Sequence, residues 1–189
     1  MMPWEHVIIG YVGYSLFVHA VYGDSPTGRE TAVIVFASIL PDLIDKPLAW
    51  EFSVFETGYA LGHSVFFAIP LSLVIGFLTY RRGHPRLGWA FGIGYLLHLP
   101  ADVLPPNMRD DSIPIERLLW PVQTSDPVAE PERLRDGFLD SLWAYLSQLY
   151  TLDQSPYTQA VIGFMIFGFV LWLYDGMPIV RDLFELLRR

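Results

Sequence analysis

Six histidine and aspartate residues have the types and spacing of a divalent metal site: His6, Asp42, Asp45, His63, His98 and Asp102. His98 and Asp102 are four residues apart, so on a helix they project from one face and can bind one ion together. Asp42 and Asp45 are three apart and also share a helix face. Imidazoles and carboxylates suit borderline-hard divalent cations, and an ion with an open position can activate water. Because the chain has no cysteine, thiolate ligands are excluded.

The composition favours a membrane protein and argues against nucleic-acid binding. Apolar residues make up 52% of the 189 residues, charged residues only 17%, and the mean hydropathy is +0.35. The net charge is −8 and Lys46 is the only lysine, whereas nucleic-acid phosphates require a basic surface. We therefore expect membrane lipids as partners.

Apolar segments long enough to span a bilayer predict an all-α, polytopic fold of about five transmembrane helices. Four segments are mostly apolar: Trp4–Tyr22, Tyr59–Tyr80, Leu87–Leu104 and Tyr157–Met177. The fifth, Glu30–Leu48, carries Asp42 and Asp45 near its end and spans only if these acids have partners. Pro47 should end this helix near Lys46. The whole chain, 1–189, is expected to be one domain.

Arginine placement predicts a multi-pass orientation in the cell membrane. Short loops rich in arginine stay in the cytoplasm, which places the turn Arg81–Arg86 and the basic C-terminal tail inside. The segment 105–156 is then an extracytoplasmic loop region. In this topology all six candidate ligands lie at the outer face, so the site is predicted to face the extracytoplasmic side.

An amphipathic helix is predicted within the outer loop, after Pro131. Its apolar residues recur at helical spacing, and its aromatic residues suit the headgroup level of a membrane. These apolar residues are Leu134, Phe138, Leu139, Leu142, Trp143, Leu146 and Leu149. The helix is either a lid over the site or packing for helix ends.

Other polar residues have simpler interpretations. His19 has no acidic neighbour in sequence and is expected to hydrogen-bond between packed helices. His84 lies in the basic turn and is expected to be solvated. Ser64 is either a packing hydroxyl or a substrate contact. Gly88, Gly92 and Gly94 indicate close helix packing.

Four short motifs carry a resemblance to a known family. They are Leu40-Pro41-Asp42-Leu43-Ile44-Asp45, Gly62-His63-Ser64, His98-Leu99-Pro100-Ala101-Asp102 and Leu118-Leu119-Trp120-Pro121. In order and separation they resemble the membrane-bound metal-dependent hydrolases of the LexA-binding inner-membrane type. The resemblance covers roughly His6 to Pro121 and implies a metal-dependent hydrolase. The sequence departs from the pattern at Tyr59–Gly62, where the family usually has an arginine and a threonine.

The order of the ligands is also similar to that of zinc-dependent phospholipase C. This weaker resemblance implies zinc, as one or two ions. Asp42, His63, His98 and Asp102 would hold the first ion and act as the catalytic residues. Asp102 would bridge to a second ion held partly by His6, with Asp45, loop acids or water completing it.

Together these features predict a membrane-embedded, metal-dependent hydrolase acting on a phosphoester of a lipid or lipid-linked substrate. One alternative is a divalent cation carrier or channel, which should have ligands near the bilayer midplane and access from both faces. The other is a noncatalytic membrane adaptor whose polar cluster is structural.

Overall fold

The computed structural model describes residues 2–103, 114–125, 133–150 and 156–188, which form helices and connecting segments. The helices are α1 (Pro3–Tyr22), α2 (Gly28–Trp50), α3 (Val65–Arg81), α4 (Pro85–Val103), a 3-10 helix (Ile115–Leu118), α5 (Leu134–Tyr150), α6 (Pro156–Tyr174) and α7 (Val180–Leu187). The all-α class is therefore found as predicted. Leu104 and parts of the predicted loop region 105–156 lie outside the described residues.

Helix α4 is the centre of the bundle and packs against α1, α2 and α3. Two buried apolar clusters hold these helices together. The first is Tyr11, Tyr14, Val18, Ile34 and Ala90, and the second is Ala37, Ala68, Phe91, Tyr95 and Leu99. As predicted, glycine permits close helix packing: a Cβ at Gly94 would lie 3.1 Å from the Ile34 carbonyl oxygen on α2. This close approach lets side chains of three helices meet at one end of the bundle.

The prediction of five membrane-spanning helices is wrong. Among the described residues, no helix is both long enough and apolar enough to cross a membrane. Helix α3 has 17 residues, fewer than the roughly 20 that a span needs. Helix α2 carries Asp42, Asp45 and Lys46 in its second half. The orientation derived from arginine placement stays a prediction.

The end of α2 also differs from the prediction. Pro47 was expected to end the helix near Lys46, but α2 continues to Trp50, with Pro41 and Pro47 inside it. Pro47 cannot donate a backbone hydrogen bond, but its carbonyl oxygen still accepts the backbone N–H of Glu51 at 3.0 Å, so helical hydrogen bonding continues after it. The two aspartates of α2 therefore lie within a continuous helix and not at a frayed end.

Helix α3 begins later than predicted. Residues 59–64 form a connecting segment, and the helix starts at Val65 with Ser64 as its N-cap. The Ser64 hydroxyl accepts the backbone N–H of Phe66 and donates to the carbonyl of Trp120. Ser64 is thus a capping and packing hydroxyl that ties the start of α3 to the segment after the 3-10 helix.

The three C-terminal helices lie at the edge of this bundle. Helix α5 is the predicted amphipathic helix, and it packs on α2. Its Tyr145 ring lies 5.3 Å from the Trp4 ring on α1, and Trp143 is exposed. Helix α6 contacts α1, and α7 contacts α2. The sequence analysis did not predict α7.

Candidate metal centre

Four of the six candidate ligands converge at one end of the bundle. One ligand atom from each of Asp42, His63, His98 and Asp102 lies within 4.8 Å of the other three, and all four residues are buried. Helix α2 supplies Asp42, α4 supplies His98 and Asp102, and the segment before α3 supplies His63. This group was predicted from sequence, and it can hold a metal ion.

The hydrogen bonds behind the two histidines fix which ring nitrogens face the centre. His98 Nδ1 lies 2.7 Å from the Ser38 carbonyl oxygen, and a carbonyl can only accept, so this nitrogen donates. His63 Nδ1 likewise donates to the Asp45 carboxylate at 2.8 Å. In neutral rings Nε2 of each is then an unprotonated acceptor. The two Nε2 atoms lie only 3.1 Å apart, so a proton on one of them or a cation between them would remove the repulsion of their lone pairs.

The spacing of the ligand atoms suits a tetrahedral ion. Tetrahedral ligands that are each 2.0–2.1 Å from zinc are about 3.3 Å from one another. The Asp102 Oδ2 atom lies 3.3 Å from Nε2 of both His63 and His98. The Asp42 Oδ1 atom lies 3.5 Å from His63 Nε2 and 3.8 Å from His98 Nε2. These distances are long for hydrogen bonds and are those expected around a cation.

The carboxylates around His63 favour a positive charge at the centre. Burial alone would lower the pKa of His63, but its contacts with Asp102, Asp42 and Asp45 outweigh burial and raise the pKa to about 10. Burial likewise acts to raise the pKa of Asp102, yet the three surrounding histidines hold it well below its usual value. The centre is therefore arranged for charged carboxylates around one cation.

Asp45 lies behind His63 and outside the four-residue group. Its carboxylate accepts the backbone N–H groups of Ala60 at 2.8 Å, Gly62 at 2.7 Å and His63 at 3.0 Å, besides His63 Nδ1. A carboxylate behind a metal-binding imidazole fixes the tautomer and the ring orientation. Gly62 is required here, because a Cβ would lie 2.7 Å from the Pro41 carbonyl oxygen. Asp45 thus positions His63.

His6 lies on the other side of the centre, at the start of α1. Its ring stacks on His98 with centroids 3.8 Å apart, and its Nε2 lies 3.1 Å from Asp102 Oδ1. That contact has ion-pair distance but not hydrogen-bond alignment, and both ring nitrogens are buried with no hydrogen-bond partner among the described residues. Burial lowers the pKa of His6, so the ring is neutral at pH 7. A second ion held partly by His6 stays a prediction.

Sequence reasoning missed Lys46 as part of this centre. Its Nζ atom lies 2.7 Å from Asp42 Oδ2, and the side chain is partly exposed. The ammonium also lies 5.9 Å from the centre of the Trp50 ring. The four-residue spacing of Asp42 and Lys46 on a helix was the signal that could have found it. Lys46 adds a positive charge at the edge of the metal centre.

A second buried polar cluster lies toward the other end of α1 and was also missed. The Asp175 carboxylate accepts the Tyr11 hydroxyl at 2.6 Å and the Ser15 hydroxyl at 2.7 Å, and it lies 2.7 Å from His19 Nε2. Asp175 directly follows α6, so the cluster ties α6 to α1. The prediction of His19 as a hydrogen bonder is confirmed, although its partner is an acid distant in sequence. An aspartate ending an apolar segment was the available signal.

Comparison with known proteins identifies the family. No curated protein and no solved structure matches the chain. The model of the YdjM inner membrane protein family matches residues 1–178, which is nearly the whole chain and includes every residue of the metal centre. The match does not test the predicted hydrolase activity. The chain belongs to the YdjM inner membrane protein family.

Proposed function

We propose that this protein is a metal-dependent hydrolase that cleaves a phosphoester of a lipid or lipid-linked substrate. The observation that supports the proposal most is the pair of imidazole Nε2 atoms, 3.1 Å apart and each backed by a hydrogen bond at Nδ1. A bound divalent cation, expected to be zinc, would polarise the phosphoryl group and lower the pKa of water. Asp42, His63, His98 and Asp102 would hold it.

The chain's own residues supply positioning and proton transfer. Asp45 and the Ser38 carbonyl orient the two imidazoles before substrate arrives, which avoids reorganisation during the reaction. In the reaction, the oxygen of water bonds to phosphorus, the ester P–O bond breaks, and the leaving oxygen takes up a proton. Neutral His6 lies beside the centre, with Nε2 3.1 Å from Asp102 Oδ1, and in this proposal it accepts the proton of water and returns it to the leaving oxygen.

A lipid substrate is supported by the family and by the surface. The family is one of inner membrane proteins, and α3 and α6 expose large apolar side chains such as Leu73, Phe77 and Ile166. Exposed apolar surface of this kind contacts lipid or protein partners.

The test is a hydrolysis assay of purified protein on a panel of phospholipids and lipid phosphates, with chelator treatment and zinc addition. We expect release of the phosphate or headgroup that stops with chelator and returns with zinc. His84→Ala, which alters an exposed histidine at the other end of α4, is the control and should keep full activity. Hydrolysis that survives metal removal, or none on any phosphoester, would reject the proposal. Metal-dependent cation flux into vesicles without hydrolysis would favour the carrier.

A further inference from the structure

A cavity of about 430 Å³ opens next to the metal centre, between the start of α1, the second half of α2 and the start of α5. Its volume is within the range of small-molecule sites. Most of its lining is apolar, including Ile39, Leu43, Pro47 and Trp50 from α2 and Leu134 and Phe138 from α5. The backbone N–H of Leu134 donates to the Glu51 side chain at 2.9 Å, which fixes the start of α5 to the end of α2.

The charged part of the cavity wall is where the cavity meets the metal centre. Asp42 and Lys46 both line the cavity, and Asp42 also belongs to the four-residue metal group. The cavity thus has an apolar body and, at one wall, the only lysine of the chain. An ammonium group in such a place complements an anion whose remaining part is apolar.

We propose that this cavity binds the hydrocarbon chain of a single-chain lipid phosphate, with the Lys46 ammonium contacting the phosphate as it enters the metal centre. This inference rests on the proposed hydrolase function and names its substrate class. The Lys46 Nζ atom pairs with Asp42 Oδ2 at 2.7 Å. A cation held by Asp42 would reduce the negative charge that Lys46 experiences, which would leave the ammonium available to the phosphate.

The geometry favours one chain over two. The cavity is bounded by the start of α1, the second half of α2 and the start of α5, and its volume of about 430 Å³ is near the lower end of the range for ligand sites. Gly137, on the face of α5 toward the cavity, is buried although most of α5 is exposed. A larger side chain at Gly137 would fill the space that the hydrocarbon chain needs, and leucine is a better helix former than glycine.

The test uses alkylphosphonates of two to twelve carbons, which carry the anion but have no ester bond to cleave. Binding to metal-loaded protein in lipid nanodiscs is measured by protection of Lys46 from acetylation, detected by mass spectrometry. Affinity is expected to rise about fourfold for each methylene that enters the cavity and then to reach a plateau. Gly137→Leu should weaken dodecylphosphonate binding at least tenfold and leave ethylphosphonate unchanged. Ala144→Leu, on the exposed part of α5, is the matched control and should change neither.

Two outcomes would overturn the inference. One is a wild-type affinity for alkylphosphonates that does not depend on their chain length. This measurement does not require any variant to fold. The other is equal weakening by Gly137→Leu and Ala144→Leu when both retain their metal. Because the phosphonates are not hydrolysed, binding is measured separately from turnover. If protection of Lys46 depends on chain length but dodecyl phosphate is not hydrolysed, the proposed function is rejected and the cavity remains a lipid-binding site.

Discussion

Asp102→Asn is expected to lower metal affinity by more than about 100-fold and to reduce metal-dependent hydrolysis to background. Asp102 contacts three imidazoles through its two oxygens, with Oδ1 toward His6 and Oδ2 toward His63 and His98. Asparagine keeps the shape and removes the charge. Even residues that only support a ligand change metal affinity by about 10–100-fold, so the loss of a ligand should exceed that range. Metal affinity is measured by competition with a chelating dye.

The control for this substitution is Asp140→Asn on the exposed surface of α5, which should bind metal like the wild type. A folded Asp102→Asn variant with wild-type metal affinity would contradict the role of Asp102 as a metal ligand. If Asp102→Asn binds metal normally but does not hydrolyse the substrate, Asp102 contributes to hydrolysis in a way other than metal binding.

Asp175→Ala is expected to give the largest loss of stability without affecting metal binding. The substitution leaves the buried hydroxyls of Tyr11 and Ser15 without their acceptor. Each buried group left unsatisfied costs about 1–3 kcal/mol, so the free energy of unfolding should fall by about 2–6 kcal/mol. His19 lies on the partly exposed side of the cluster and can regain hydrogen bonds from water.

Thermal unfolding and metal content of the same sample measure the two effects separately. His6 and His19 are 13 residues apart on α1, about 20 Å along the helix axis, so the metal centre should be unaffected. Asp175→Asn, which keeps one oxygen acceptor, should be less destabilised than Asp175→Ala. An unchanged melting temperature in Asp175→Ala would show that the cluster does not tie α6 to α1.

The sequence predicted the members of the metal centre better than it predicted their environment. The four-residue spacing of His98 and Asp102 is a property of any helix, so their pairing needed no tertiary information. The role of Asp45 depends on residues 60–63 folding back over α2, and this contact is not encoded by local spacing. Pro47 shows the same limit, because local preference for ending a helix is overridden by packing.

The membrane-spanning prediction failed for a different reason. Apolar content alone does not fix where a helix begins or ends: α3 begins only at Val65 and has 17 residues. His6 and Asp42 were predicted as metal ligands and His19 as a hydrogen bonder between helices, and the three residues lie in two buried polar clusters. Asp175 was overlooked because its partners are more than 150 residues away in sequence.

The binding of one ion between His63 and His98 is the central claim, and X-ray absorption on zinc-loaded protein tests it most directly. We expect one zinc per chain, with nitrogen and oxygen ligands at about 2.0–2.2 Å and the scattering pattern of two imidazoles. The double variant His63→Ala, His98→Ala should lose this signal, and His84→Ala should keep it. A folded wild-type protein that binds no zinc at micromolar concentrations, or a double variant with an unchanged spectrum, would contradict the account.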